Sequence, residues 1–183
     1  MKPTDFSMLL TAFLSEYLPL QKNVSRNTIM SYRDTFKLLL FYCESEVAIP
    51  AERLTMKKLS ADLIEDFLIW LETERNCSVS TRNLRLTAIH SFFRYTQAES
   101  PEQLYYYQKI LAIPLKKKQK VIVEHLSAEG IKFLLQQPDK STSQGRRDLT
   151  LLSLMYDSGA RVQEIIDLSV KNFINARCKM KLK

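Results

Sequence analysis

Ser80-Thr81-Arg82-Asn83-Leu84-Arg85-Leu86-Thr87-Ala88-Ile89-His90-Ser91-Phe92-Phe93 reads as one amphipathic helix beginning after Ser80. Leu84, Ala88, Ile89, Phe92 and Phe93 recur at helical spacing and predict a core face, while Arg82 and Arg85 project from the first turns. Three segments before it carry the same period. The first runs from about Thr4 to Leu18, with Phe6, Leu9, Leu10, Phe13, Leu14 and Tyr17 on one stripe and Pro19 closing it. The second opens after Ser25, a good N-cap residue, and turns Ile29, Tyr32, Phe36, Leu39, Leu40 and Cys43 inward. Arg26, Arg33 and Lys37 fall on a separate face of that helix, and Pro50 marks the break after it. The third starts after Ser60, with Leu63, Phe67, Trp70 and Leu71 facing the core. Four such helices with short loops bury one small bundle core.

The bulk composition agrees with helices. Three glycines and six prolines in 183 residues argue against sandwiches and barrels, and 45% hydrophobic with 26% charged residues is globular. Cys43, Cys77 and Cys178 are odd in number and widely spaced, with no Cys-x-x-Cys, which disfavours a zinc site or a disulfide framework. A reducing compartment is the simple reading. The N-terminus lacks a charged-then-apolar signal pattern and no apolar run approaches membrane-spanning length, so a soluble, cytoplasmic protein is expected.

Charge is uneven. Residues 1–100 hold 12 basic and 12 acidic side chains, whereas residues 101–183 hold 15 and 8 and carry the whole net charge of +7. A polyanion partner near the second half is the functional reading, and a solvated basic surface the bland one. Between the halves, Pro101 and Pro114 bracket a short helix with Tyr105, Tyr106 and Tyr107, read as packing residues. Lys116, Lys117, Lys118 and Lys120 follow, suited to sequence-independent phosphate contact. A strand-like Val121–Val123 then precedes a helix from Ala128 to Gln136, a loop Asp139–Gly145, Arg146-Arg147-Asp148, and an apolar helix Leu149 to Tyr156 expected to be buried on several sides. Val170–Ile174 and Arg177–Lys183 read as strands. His90 reads as a packing residue, His125 as a local one and Trp70 as core.

Tyr156-Asp157-Ser158-Gly159-Ala160-Arg161-Val162-Gln163-Glu164-Ile165-Ile166-Asp167-Leu168 reads as a helix end, a glycine turn and a second helix opening on an arginine. A cation there opposes the helix dipole, so a bound anion would explain it, and Glu164 lies one turn on, where it can hold the guanidinium. This segment resembles the first-arginine box of the tyrosine recombinases of the phage-integrase and Xer type. The Ser80–Phe93 run, and Thr28-x-x-x-Tyr32 with Phe36-x-x-Leu39, are similar to that family's SAM-like core-binding domain.

The resemblance implies a mainly α chain: a core-binding bundle at 1–98, a basic linker at 99–120, and at 121–183 the truncated start of an α+β catalytic domain. It implies double-stranded DNA as partner, with Arg26, Arg33, Lys37, Arg82, Arg85 and the four linker lysines near phosphates, and self-association on DNA. In the family a tyrosine attacks the scissile phosphate to give a 3′-phosphotyrosyl link, later reversed by a 5′-hydroxyl; that link conserves the bond energy, so the resemblance implies no metal and no cofactor. Arg161 matches the first catalytic arginine and Glu164 its acidic support. No His-x-x-Arg follows Arg161 and no tyrosine follows Tyr156, so these residues alone are expected to be inactive in cleavage. A naturally shortened DNA-binding regulator and a helical protein-interaction module are the alternatives. Uncovered apolar surface in the second half predicts self-association, or partial disorder after about residue 170.

Overall fold

The computed structural model describes residues 2–99, 103–118 and 125–169, all helix, turn or extended connection. The chain divides into two compact units, Met1–Lys120 and Val121–Lys183.

In the first unit, α1 (Asp5–Ala12) starts at Thr4, whose side chain accepts from Ser7 N–H. It runs directly into a π-helical segment, Phe13–Gln21, that contains Pro19. Pro19 therefore does not close the helix. In α geometry its ring would strike the carbonyl four residues back. The wider turn, seen where Lys22 N–H reaches Tyr17 O at 2.9 Å, relieves that contact and keeps Phe13 and Leu18 facing the core.

The next helices, α2 (Arg26–Ser45) and α3 (Ala61–Thr73), begin at Ser25 and Ser60, whose hydroxyls accept from Thr28 and Leu63 N–H. Between them, two short 3-10 turns sink Leu54, Met56 and Leu59 into the core. Helix α4 (Val79–Glu99) starts earlier than expected from Ser80, because Ser78 takes the capping bond from Thr81 N–H. It packs against α2, α3 and α5 (Leu104–Leu111), which makes it the axis of the bundle.

Phe13 sits within 6.3 Å, centroid to centroid, of the rings of Tyr17, Tyr32, Phe36, Phe92 and Tyr95. Tyr42, Phe67 and Trp70 form a second aromatic group. Two expectations need correcting. Leu84 points to solvent at 56% exposure, because three-sided packing of α4 shifts its buried set to Arg82, Asn83, Leu86, Ile89, His90 and Phe93. The stretch read as the front of a linker belongs to the core through Tyr107, Ile110 and Ile113, while Tyr105 and Tyr106 are exposed.

The second unit contains α6 (Ala128–Gln136), α7 (Ser143–Ser158) and α8 (Val162–Ile166). Helix α7 begins at a Thr142 cap, ahead of its apolar run. It is not buried on several sides: Leu151 and Tyr156 are exposed and Gly145 is its one buried residue. Gly145 is required by close approach, since a Cβ there would lie 2.0 Å from Asp139 O. The strands expected at 121–123, 170–174 and 177–183 lie outside the described residues, and no strand occurs among the described ones.

Candidate nucleic-acid interface

On α2, Arg26, Arg33 and Lys37 fall at i, i+7 and i+11, so helical geometry lines them along one face, and all three are exposed. Phe36, Leu39 and Cys43 bury an adjoining face of the same helix. Arg33 meets Asp34 at 3.7 Å across an exposed pair, a contact of little energetic weight. Among the described residues, no hydrogen bond or ion pair engages Arg26 or Lys37, so an anion would meet them without displacing a protein partner.

Arg82 and Arg85 lie differently from the sequence expectation that they project. Arg82 is only 6% exposed, and its Nη1 donates to Pro114 O at 3.0 Å and to Asn83 Oδ1 at 3.2 Å. Arg85 is half-buried, and its Nη1 donates to Ser31 O at 3.0 Å and Thr35 Oγ1 at 3.1 Å, stitching α4 to α2. Each guanidinium spends Nη1 on two oxygens, and the buried Nε of both has no partner among the described residues. Lys116 is also occupied, with Nζ 2.6 Å from Glu72 Oε2 of α3. Lys117 and Lys118 are exposed, and Lys120 lies outside the described residues.

In the second unit, Gly159 ends α7 in the left-handed region at φ 64°, with its N–H on Met155 O at 2.9 Å. The chain then turns so that Arg161 becomes the N-cap of α8. Glu164 reaches back with both oxygens: Oε2 accepts from Arg161 N–H at 2.8 Å and Oε1 from Arg161 Nη1 at 3.1 Å. The Glu164 carboxylate thus offsets the cation at this helix start. It aims the guanidinium without covering it, for the Arg161 side chain is 86% exposed. At the other end of α7, Arg146 Nη1 donates to Lys140 O and Ser141 O, and Arg147 pairs with Asp148 at 3.1 Å.

His90 is buried, with Nε2 3.1 Å from Ile110 O, and burial holds its pKa below the usual range. His125 is exposed. Among the described residues, no group of three or more His, Cys, Asp or Glu could hold a metal ion, and no helix is long and apolar enough to cross a membrane. Sequence reasoning missed Asn83 and Glu72, which fix the Lys116 segment. Asn83 did carry a signal: it stands in helical phase with Leu86, His90 and Phe93, all buried.

Residues 10–100 match the family model for the phage integrase N-terminal SAM-like domain. Over 167 residues the chain is 42% identical to "Putative integrase/recombinase y4rC" of Sinorhizobium fredii, spanning 91% of this chain and 50% of that relative. It is 31% identical over 163 residues to tyrosine recombinase XerD of Pseudomonas putida, with 88% of this chain and 51% of the relative covered. Tyrosine recombinase XerC of Bacillus pumilus is 28% identical over 153 residues, covering 84% and 47%. The chain thus spans about half the length of the curated relatives it matches. No solved structure matches it. With a SAM-like integrase domain over its helical first unit and recombinase relatives aligned along most of its length, the chain belongs to the tyrosine recombinase family of the phage-integrase and Xer type.

Proposed function

We propose that this chain is the duplex-binding portion of a site-specific DNA recombinase. The observation that carries the reading is the exposed stripe of Arg26, Arg33 and Lys37 on a helix of the matched domain. Cations held along one helix face suit a row of phosphates, and each one neutralised adds salt-dependent affinity. Lys117 and Lys118 extend the contact, with Lys120 beyond them in sequence. Arg85 and Lys116 reach phosphate only by sharing Ser31 and Thr35, or Glu72. Arg82 supports the surface from inside. Self-association on DNA and a cytoplasmic location with the DNA belong to the same reading.

Arg161 is the group assigned to the reacting phosphate. A guanidinium donates two parallel N–H bonds to phosphoryl oxygens and stabilises charge developing there during displacement. Glu164 fixes its position from the neighbouring turn. Bond cleavage also needs a tyrosine oxygen as nucleophile and groups that move protons. Within these 183 residues no tyrosine follows Tyr156 and no His-x-x-Arg follows Arg161. The proposed activity of these residues by themselves is therefore binding, with the strand-transfer chemistry belonging to the recombinase reaction as a whole. Titration of the chain with a labelled duplex over a range of salt tests this. Affinity falling linearly in log–log form supports the reading, and affinity independent of salt overturns it.

A further inference from the structure

The segment from Ile113 to Lys118 follows α5 with no helix of its own and no strand beside it among the described residues. Its polar backbone nevertheless has partners, and α4 supplies them from side chains. Arg82 Nη1 donates to Pro114 O at 3.0 Å. Asn83 spends both ends of its amide on one residue: Nδ2 donates to Lys116 O at 2.8 Å and Oδ1 accepts from Lys116 N–H at 3.1 Å. That pair of bonds is what a neighbouring strand would offer. Arg82 also donates to Asn83 Oδ1 at 3.2 Å, which orients the amide, since a guanidinium can only donate. Further along α4, His90 Nε2 lies 3.1 Å from Ile110 O; a carbonyl only accepts, so the ring carries its proton on Nε2. Glu72 of α3 takes the Lys116 ammonium at 2.6 Å. Arg82 and Asn83 are 6% and 7% exposed, so their ends of these bonds are shielded from water, while Pro114 and Lys116 lie at the surface.

We propose that Arg82 and Asn83 are positioning residues that latch the connection onto α4 as far as Lys116, so that its freedom to reorient begins at Lys117. The bundle's fixed frame then runs past the end of α5 at Leu111 to Lys116, well into what the sequence presents as a basic linker. The use of the latch rests on the duplex-binding reading. It withdraws Lys116 from phosphate and sets the origin from which Lys117 and Lys118 reach for it.

The test needs no DNA, so its failure is distinguishable from failure of that reading. Single-residue amide hydrogen exchange is followed on the 183-residue chain. Two hydrogen bonds of ordinary net worth, opening together, slow exchange of the Lys116 amide about thirtyfold below its free-peptide rate. Asn83→Ala returns it to within about threefold of that rate, while the Phe92 and Phe93 amides keep their protection. Asn83→Asp keeps the acceptor and loses the donor, and gives an intermediate rate. Trypsin adds a readout of trajectory: cleavage after Lys118 precedes cleavage after Lys116 in the native chain, and Asn83→Ala removes that order. A Lys116 amide exchanging at the free-peptide rate in the native chain overturns the proposal, as does protection unchanged in Asn83→Ala. Should Asn83→Ala unfold the bundle, the native rate and Asn83→Asp decide.

Discussion

Phe13→Ala removes the ring at the centre of the bundle, and the structure sets the size of the effect. Phe13 is 0% exposed and touches five other rings, those of Phe92 and Tyr95 at 5.4 and 5.6 Å between centroids. A fully buried phenylalanine truncated to alanine costs about 3–5 kcal/mol in transfer and cavity terms. Its stacked and edge-to-face ring partners push this site toward the upper part of that range. The site has little room to collapse, because Phe13 lies in a π-helical segment whose neighbours Tyr17 and Leu18 are already placed by the same wide turn. Domain stabilities of about 5–15 kcal/mol mean that one substitution removes about a quarter or more of the total. Urea unfolding read by Trp70 reports the bundle, since Trp70 is the chain's single tryptophan and is 8% exposed on α3. With a slope of about 2 kcal/mol per molar urea, the midpoint falls by about 2 M. Leu20→Ala, on the same segment but at 77% exposure, serves as control and shifts stability by less than about 0.5 kcal/mol. A Phe13→Ala midpoint within about 0.3 M of the native value at unchanged slope refutes the packing described.

Gly145→Ala places a methyl 2.0 Å from Asp139 O and 2.6 Å from Asp139 C, so the Asp139–Thr142 turn or the start of α7 must move; a loss of about 2–4 kcal/mol is expected, read by exchange of the α7 amides. His90 has its pKa depressed below 6.5 mainly by burial, with the Ile110 bond opposing and Arg94 and Arg82 reinforcing. The unfolded state therefore binds more protons just below 6.5, so this contribution to stability is full above 6.5 and is lost as pH falls from there through the folded-state pKa; His90→Gln flattens this dependence in acid titrations of unfolding. The Cys43 thiol is fully buried and pushed up to about 11 by desolvation, whereas Cys77 is half-buried, so a thiol reagent at mildly alkaline pH labels Cys77 at least about tenfold faster.

Helix existence was legible because capping and periodicity are local. Ser25 and Ser60 mark their helices, and Phe6, Phe36, Leu39, Phe67 and Phe93 fall inside as their spacing requires. The Arg161–Glu164 pair was legible for the same reason, being three residues apart on one turn. What failed depended on distant partners. Arg82 reads as a surface cation until Pro114, thirty-two residues away, supplies a carbonyl. Leu84 reads as core on a two-faced helix, but α4 is packed on three sides and its phase shifts. Pro19 reads as a terminator because a π-turn that tolerates it leaves no mark in hydropathy. Tyr107 packs and its two neighbours do not, a distinction made by the docking of α5 on α3 and α4 rather than by residue type.

The central claim is that the α2 stripe meets phosphates, and the salt dependence of duplex binding tests it most directly. Affinity is measured against salt for the native chain, for Arg26→Gln/Arg33→Gln/Lys37→Gln, and for Arg53→Gln/Lys57→Gln/Lys132→Gln, which removes the same charge from exposed sites elsewhere. Each phosphate contact contributes about 0.9 to the log–log slope, so the stripe variant loses about 2.7 from it, while the control, whose charges lie outside the stripe, keeps nearly the native slope. Equal losses in both variants, or a native affinity that salt does not change, would contradict the account.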